Sequence, residues 1–309
     1  MRCGPCHATA GPQGPYAKGQ EKKVAVADRG YDRSRSSPGT FSLCSDGQCG
    51  MTRDRQSRVA VVAGGTSGIG LSVARHLLGI GHKVAVFGQT ESAAKAARSS
   101  FEAEITSNQL LVGCCDVRNP GEVADFFRDV ETLWSSTALL VYCAGISPKA
   151  TDGVAKRFTS VDLDEWNDVL DVNLTGAMLC CQAALPGMVD KGFGRIVLIG
   201  SLAGRTRPMI AGAAYAASKA GLAGLARALV SEFSADGITI NVAAPGRILT
   251  PMAGTAATSV NLEAVKRIPT RRLGEAEEVA RLVGFLVSDE AAFINGAIID
   301  INGGEYTPA

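Results

Sequence analysis

Val59-Ala-Val-Val-Ala63-Gly64-Gly-Thr-Ser-Gly68-Ile-Gly70-Leu71 is the stretch whose reading decides the fold. Five apolar residues in a row, ending in glycines, read as a short strand buried on both faces, as in the centre of a parallel sheet. A helical pattern over 71–78 follows and ends near Gly79 and Gly81. Glycines at 64, 68 and 70 permit a tight turn between strand and helix. There the free N–H groups and the dipole of the helix N-terminus suit a pyrophosphate. The spacing is G-x-x-x-G-x-G, which differs from the common dinucleotide fingerprint G-x-G-x-x-G.

Working downstream, apolar runs at 84–88, 109–115, 138–143, 195–200, 238–244 and 297–301 predict further strands. Helical patterns lie between them at 92–101, 120–133, about 164–189, 213–233 and about 275–287, with Pro186-Gly187 as a break in the third and Asp236-Gly237 as a cap after the fourth. Strands alternating with helices at this spacing make right-handed crossovers. The expected architecture is α/β: a single Rossmann-type doubly wound parallel sheet of about seven strands, helices on both faces.

Upstream of Arg58 no periodicity is sustained. Residues 1–57 are rich in Gly, Pro, Ser and Arg and hold nine basic against five acidic residues, whereas 58–309 hold 22 against 25. Such a segment cannot offset its ordering entropy by burial, so 1–57 is expected to be a disordered extension. Met51 opens Thr-Arg-Asp-Arg-Gln-Ser-Arg and then a strand, as a natural start would. The 309 residues carry a net charge of +1 with 20% charged, which argues for neither nucleic acid nor an anionic membrane as partner. No unbroken apolar run approaches the roughly 18–20 residues that span a bilayer, and no secretory h-region opens the chain. A cytoplasmic protein is expected. The nine cysteines are odd in number and frame no disulfide set. Cys3-Gly-Pro-Cys6-His7 lacks the flanking elements of a redox or haem motif, and Cys114, Cys115, Cys143, Cys180 and Cys181 sit in apolar stretches as small hydrophobes. No metal site is expected.

Several further stretches carry polar residues in apolar surroundings: Asp116-Val117 after the third strand, Ala144-Gly145 after the fourth, Asn173 in Asp-Val-Asn-Leu-Thr-Gly, Ser201 after the fifth, Tyr215-Ala-Ala-Ser-Lys219, Asn241-Val-Ala-Ala-Pro245-Gly246 with Thr250, and Ile301-Asn-Gly-Gly304. In this order, and with the glycine turn, they resemble the short-chain dehydrogenase/reductase family, most closely its 3-oxoacyl-thioester reductases. The resemblance covers 58–309. It implies hydride transfer between a nicotinamide and a carbonyl or secondary alcohol, with Ser201, Tyr215, Lys219 and Asn173 catalytic. It also implies a nucleotide held by Gly64, Thr66, Ser67, Gly68, Ile69, Gly70, Gln89, Asp116, Val117, Ala144, Gly145, Tyr215, Lys219, Pro245, Gly246, Ile248 and Thr250. Physical chemistry agrees with these roles. A phenol with pKa ~10 is a poor proton donor at neutral pH, and Lys219, four residues on and on the same helix face, lowers it by its charge. Ser201 can hydrogen-bond the substrate oxygen, and Asn173 can hold a water that relays protons to Lys219. Three departures stand out. Ala63 replaces a usual threonine and Tyr142-Cys143 replace two asparagines, which is expected to loosen the hydrogen bonds of the fourth strand without touching the chemistry, and Ser201 lies 14 residues before Tyr215, one more than expected.

The second strand ends Phe87-Gly88-Gln89-Thr90, with no acid to bind ribose hydroxyls and repel a 2′-phosphate. NADP(H) is therefore expected over NAD(H), and a carboxylate introduced at Gly88 is expected to reverse that. The loop 247–269 mixes Arg247, Lys266 and Arg267 with Met252, Leu262 and Val265, as a cover for the substrate. The implied partners are a small carbonyl or acyl-thioester substrate and an acyl carrier protein. A homo-tetramer or dimer is also implied, because the helices at about 167–189 and 213–233 hold more apolar residues than one face buries. A sugar or polyol dehydrogenase and a dinucleotide-binding regulator are the alternatives.

Overall fold

A computed structural model describes residues 57–101, 107–150 and 153–308, all within the compact unit Thr52–Ala309. The extension expected at 1–57 lies, but for Ser57, outside the described residues. The strands are β1 (Val59–Ala63), β2 (Lys83–Gly88), β3 (Leu110–Cys114), β4 (Leu139–Tyr142), β5 (Gly194–Ile199), β6 (Ile238–Pro245), the short β7 (Ile248–Leu249) and β8 (Gly274–Glu275), and β9 (Ile298–Ile301). The helices are α1 (Gly68–Gly79), α2 (Glu91–Ser100), α3 (Pro120–Leu133), α4 (Leu163–Leu170), α5 (Gly176–Lys191), α6 (Ala213–Phe233), α7 (Ser259–Arg267) and α8 (Ala276–Leu286).

Seven strands form one parallel sheet in the order β3-β2-β1-β4-β5-β6-β9. Side chains alternate across it, so each strand feeds two cores. Val59, Val61 and Ala63 pack with Phe127, Cys181 and Leu222 of α3, α5 and α6, while Ala60 and Val62 pack with Val73 and Leu77 of α1 and Val283 of α8. Strand order reverses between β1 and β4, which opens a crevice at the carboxyl edge of the sheet.

The structure differs from the sequence reading at four places. First, α4 and α5 form one continuous helical run through a π turn, Asp171–Thr175, and Pro186 sits inside it rather than breaking it. Pro186 is on the exposed face, where water can serve the carbonyl it leaves unbonded. Gly187 is needed for packing, since a Cβ there would lie 2.5 Å from Ser136 Cβ. Second, the run Leu163–Lys191 is apolar enough by composition to cross a bilayer, although half of its most apolar window is buried inside the fold. Third, the loop expected over 247–269 contains α7 and β7, the latter paired with β8. Only Asn261 and Ala264 of α7 are buried, too few to leave a readable period, and the helix starts instead at Thr258, whose side chain accepts from Asn261 N–H. Fourth, Tyr142 does not loosen β4: it is wholly buried and its hydroxyl donates to the Val172 carbonyl, tying the strand to the π turn.

Candidate active site

The β1–α1 turn is shaped by what a side chain would strike. Gly64 has φ +73° and a Cβ there would lie 2.7 Å from the Ala144 backbone, while a Cβ on Gly70 would run into the Gly64 carbonyl oxygen. The turn thus closes against the end of β4 and leaves a bare cradle over α1. Ser67 occupies the N-cap of α1 and its carbonyl accepts from Leu71 N–H, but its side chain makes no capping bond, and no acid sits in the first turn. The N–H groups and positive dipole end of α1 stay available for an anion, so a nucleotide pyrophosphate fits this chain's residues.

Thr66 faces the tip of β2 and touches the space a Cβ on Gly88 would need. A carboxylate at Gly88 would therefore collide with Thr66 rather than meet a ribose, which moves that test to Gln89. The Gln89 amide donates to Asp116 at 3.3 Å, and Arg118 donates to the same carboxylate at 2.6 Å. These bonds, Arg118 first, hold Asp116 below the usual carboxylate range. The Val117 side chain is core, so only its backbone faces the crevice.

The π turn adds one residue to a helical turn and sets Asn173 inward. Its side chain, wholly buried, donates to the Ile146 carbonyl (3.0 Å) and to Ser218 Oγ (3.0 Å) and accepts from Ile146 N–H (2.8 Å). Asn173 thus pins the segment after β4 to α6. Gly145 sits beside it, and a Cβ there would stand 3.3 Å from both Asn173 Oδ1 and Lys219 Nζ.

Ser201 lies two residues past β5 and caps the turn Leu202–Gly204, accepting from Ala203 N–H at 3.1 Å. On α6, one helical turn separates Tyr215 from Lys219. The Lys219 ammonium donates to the Ile199 carbonyl at 2.8 Å and lies 5.8 Å from the centre of the Tyr215 ring. Burial pushes Lys219 down to about 8, opposed by the neighbouring Cys143 thiol. Burial raises the Tyr215 phenol, opposed by hydrogen bonding with Ser201 and then by the charge of Arg247. Arg247 and Lys219 thus both stand in the cavity wall with Tyr215, and Lys219 donates to the backbone at the end of β5.

Ser201, Tyr215 and Lys219 line one cavity of about 470 Å³, of ordinary ligand size. Ile69, Gly145, Pro245, Gly246, Ile248 and Thr250 share its wall. Gly64, Thr66, Ser67, Gln89, Asp116, Val117 and Ala144 stand outside it, in the turns at the carboxyl ends of β1 to β4, as do Gly68 and Gly70 in the first turn of α1. Sequence reasoning missed Lys149, Glu305 and the segment 206–211 as cavity wall; no local pattern marks them, because three separate loops converge there.

Residues 63–306 match the family profile described as enoyl-(acyl carrier protein) reductase. An acetoacetyl-CoA reductase of Rhizobium meliloti (strain 1021) is 40% identical over 252 residues, which cover 81% of this chain and 99% of that protein. The 3-oxoacyl-[acyl-carrier-protein] reductase FabG of Escherichia coli (strain K12) is 34% identical, covering 81% and 98%. The chain belongs to the short-chain dehydrogenase/reductase family. A crystal structure of a 3-oxoacyl-[acyl-carrier protein] reductase with bound NAD from Brucella melitensis superposes with a TM-score of 0.76 at 32% identity, covering 83% of this chain and 94% of that one. As a short-chain dehydrogenase/reductase the protein is an oxidoreductase acting on C=O, on a Rossmann-type sheet. The extra residue between Ser201 and Tyr215 falls in the segment that holds the turn Leu202–Gly204 and the cavity wall at 206–211.

Proposed function

We propose that this reductase uses NADPH to reduce 3-oxoacyl thioesters to the 3-hydroxy compounds. The observation that carries the reading is the convergence of Ser201, Tyr215 and Lys219 in one cavity at the carboxyl edge, beside the bare cradle of α1. The relatives named above as acetoacetyl-CoA and 3-oxoacyl-carrier reductases support the substrate class.

Gly64, Gly68 and Gly70 with the α1 N-terminus would hold the pyrophosphate, Asp116 the adenine, and Pro245, Gly246, Ile248 and Thr250 the nicotinamide end; the bound nucleotide supplies the hydride. The chain does the rest. Ser201 donates to the substrate oxygen and orients it. Tyr215 gives that oxygen its proton as negative charge develops there. Lys219 returns positive charge to the site and binds ribose hydroxyls, while Asn173 fixes the backbone of Ile146 against α6. The end of β2 bears Gln89 and Thr90 and no carboxylate, which supports NADPH over NADH. An acyl carrier protein as donor, a homo-tetramer or dimer, and a cytoplasmic setting complete the reading. Half-exposed Leu174, Leu179, Leu225, Leu229 and Phe233 along α4–α5 and α6 support the assembly.

The test is spectrophotometric. Purified protein with acetoacetyl-CoA should oxidise NADPH, and faster than NADH. No oxidation of either nucleotide with any oxoacyl thioester would overturn the proposal.

A further inference from the structure

The cavity is unusually cationic where the carbonyl would sit. Arg247 and Lys149 both line it, both are half-buried, and neither forms an ion pair among the described residues. Each is held by neutral acceptors only. Arg247 donates through Nε to Asn261 Oδ1 (2.8 Å) and through Nη2 to the Ala253 carbonyl (3.1 Å), and Lys149 donates to the Ile210 carbonyl (3.0 Å). Asn261 is itself wholly buried and braced on the Ala253 and Thr255 carbonyls, so the guanidinium is mounted rather than free to swing. The one carboxylate in the wall, Glu305, pairs with Arg267 at 3.3 Å and acts on Arg247 as an opposite charge without forming an ion pair with it. Cations shielded from water are ordinarily paired, and these two face a cavity.

We propose that the reacting molecule brings its own carboxylate, which docks on Arg247 and Lys149 while its carbonyl meets Tyr215 and Ser201: the substrate class is an oxo acid. Burial pushes both cations down, and Arg247 acts on Lys149 as a like charge, so an anion between them relieves both. The phosphates of a carrier lie at the far end of the pantetheine arm, away from a cation that acts directly on Tyr215. The nucleotide phosphates belong at α1 and the tip of β2. A carboxylate near the carbonyl is the remaining anion. It can come from a free oxo acid or from the acyl end of an oxoacyl thioester, and exposed Met209 and Met252 offer apolar wall for the carbons between.

The inference rests on the reductase reading above, and matched pairs separate the two. Levulinate and 2-pentanone differ only in a carboxylate replacing a methyl; so do 3-oxoadipyl-CoA and 3-oxohexanoyl-CoA. The acid of at least one pair should be reduced with a kcat/KM about tenfold or more above its neutral twin, as befits a charge-assisted contact. Arg247→Met and Lys149→Met should each lower that ratio several-fold, and Arg247→Lys should restore part of it. A ratio within one preparation cancels any loss of folded protein. Calorimetric titration of levulinate should show the same ranking without turnover. The levulinate pair responding identifies a free oxo acid, and the CoA pair responding identifies a carboxylated acyl chain. Equal rates within both pairs, or a ratio that neither Met variant moves, would overturn the carboxylate dock and leave the reductase intact. No nucleotide oxidation with any of the four would overturn the reductase reading, and the dock with it.

Discussion

At the scale of single residues, the site is a set of charges in unequal surroundings. Tyr215→Phe keeps the ring and removes the proton donor. Turnover should fall about 10²–10⁴-fold, with nucleotide affinity little changed, as single-turnover rates and dissociation constants would show. Lys219→Ala should lose both rate and nucleotide affinity, and the double variant should be scarcely worse than the worse single. Lys219 is also the pH sensor. Its ammonium is charged below about 8 and neutral above, so kcat/KM for reduction should fall as pH rises through that value. Lys219→Arg should carry the fall to higher pH. The linkage to stability has the opposite sign. The folded-state pKa lies below the unfolded 10.5, so the unfolded chain binds the extra proton in between. The cost of burying this charge is full below about pH 8 and is relieved as pH climbs towards 10.5. The wild-type denaturant midpoint should therefore rise relative to that of Lys219→Met over that window. The motif residues were readable in the sequence because each sits in a local string with a known spacing. Arg247 was readable only as a basic loop residue; its place in the cavity wall with Tyr215 depends on Asn261 of α7, which no local pattern ties to it.

At the scale of elements, turns and helix irregularities do the positioning. The tip of β2 is the place for a cofactor switch, and Gln89→Asp should move preference towards NADH, read as the ratio of kcat/KM for the two nucleotides. A carboxylate there would also sit beside Asp116, which already engages Gln89 and Arg118, so Asp116 should then titrate higher. The π turn makes a different prediction. Asn173→Ala would strand the N–H and carbonyl of Ile146 in a half-buried setting, at up to about 1–3 kcal/mol for each group left unpaired. Urea unfolding should register a loss of about 2 kcal/mol or more. The strand and helix order was legible because the periods of two and 3.6 are strong in a core this apolar. The π turn and the passage of Pro186 were not, since both are settled by tertiary contacts: Tyr142 bonding to Val172 and Ser136 against Gly187.

At the scale of the whole molecule, the described fold begins at Ser57, and β1 has its complete set of neighbours in β2 and β4. A chain started at Met51 should therefore fold with an unchanged melting temperature and keep its turnover; a large loss of either would show that residues before Met51 act on the domain. Leu179 of α5 and Leu225, Leu229 and Phe233 of α6 are only partly buried, so light scattering at micromolar concentration should give a dimer or tetramer mass. A monomer would refute the assembly. The sheet order was legible as a class and not in detail, because crossover handedness restricts parallel topologies to a few while strand pairing is a long-range choice.

Strand β9 is the sheet's edge member beside β6 and, among the described residues, the last strand in chain order. Gly246 N–H bonds to the Ile301 carbonyl, Thr270 N–H to the Gly303 carbonyl, and Glu305 reaches the cavity wall. A ribosome makes the chain from the other end. While these residues are still inside the exit tunnel, β6 presents an open edge, and the loop carrying Arg247 lacks its backing. The nascent chain therefore carries an unpaired strand edge between the synthesis of β6 and that of β9, and this is its most aggregation-prone interval.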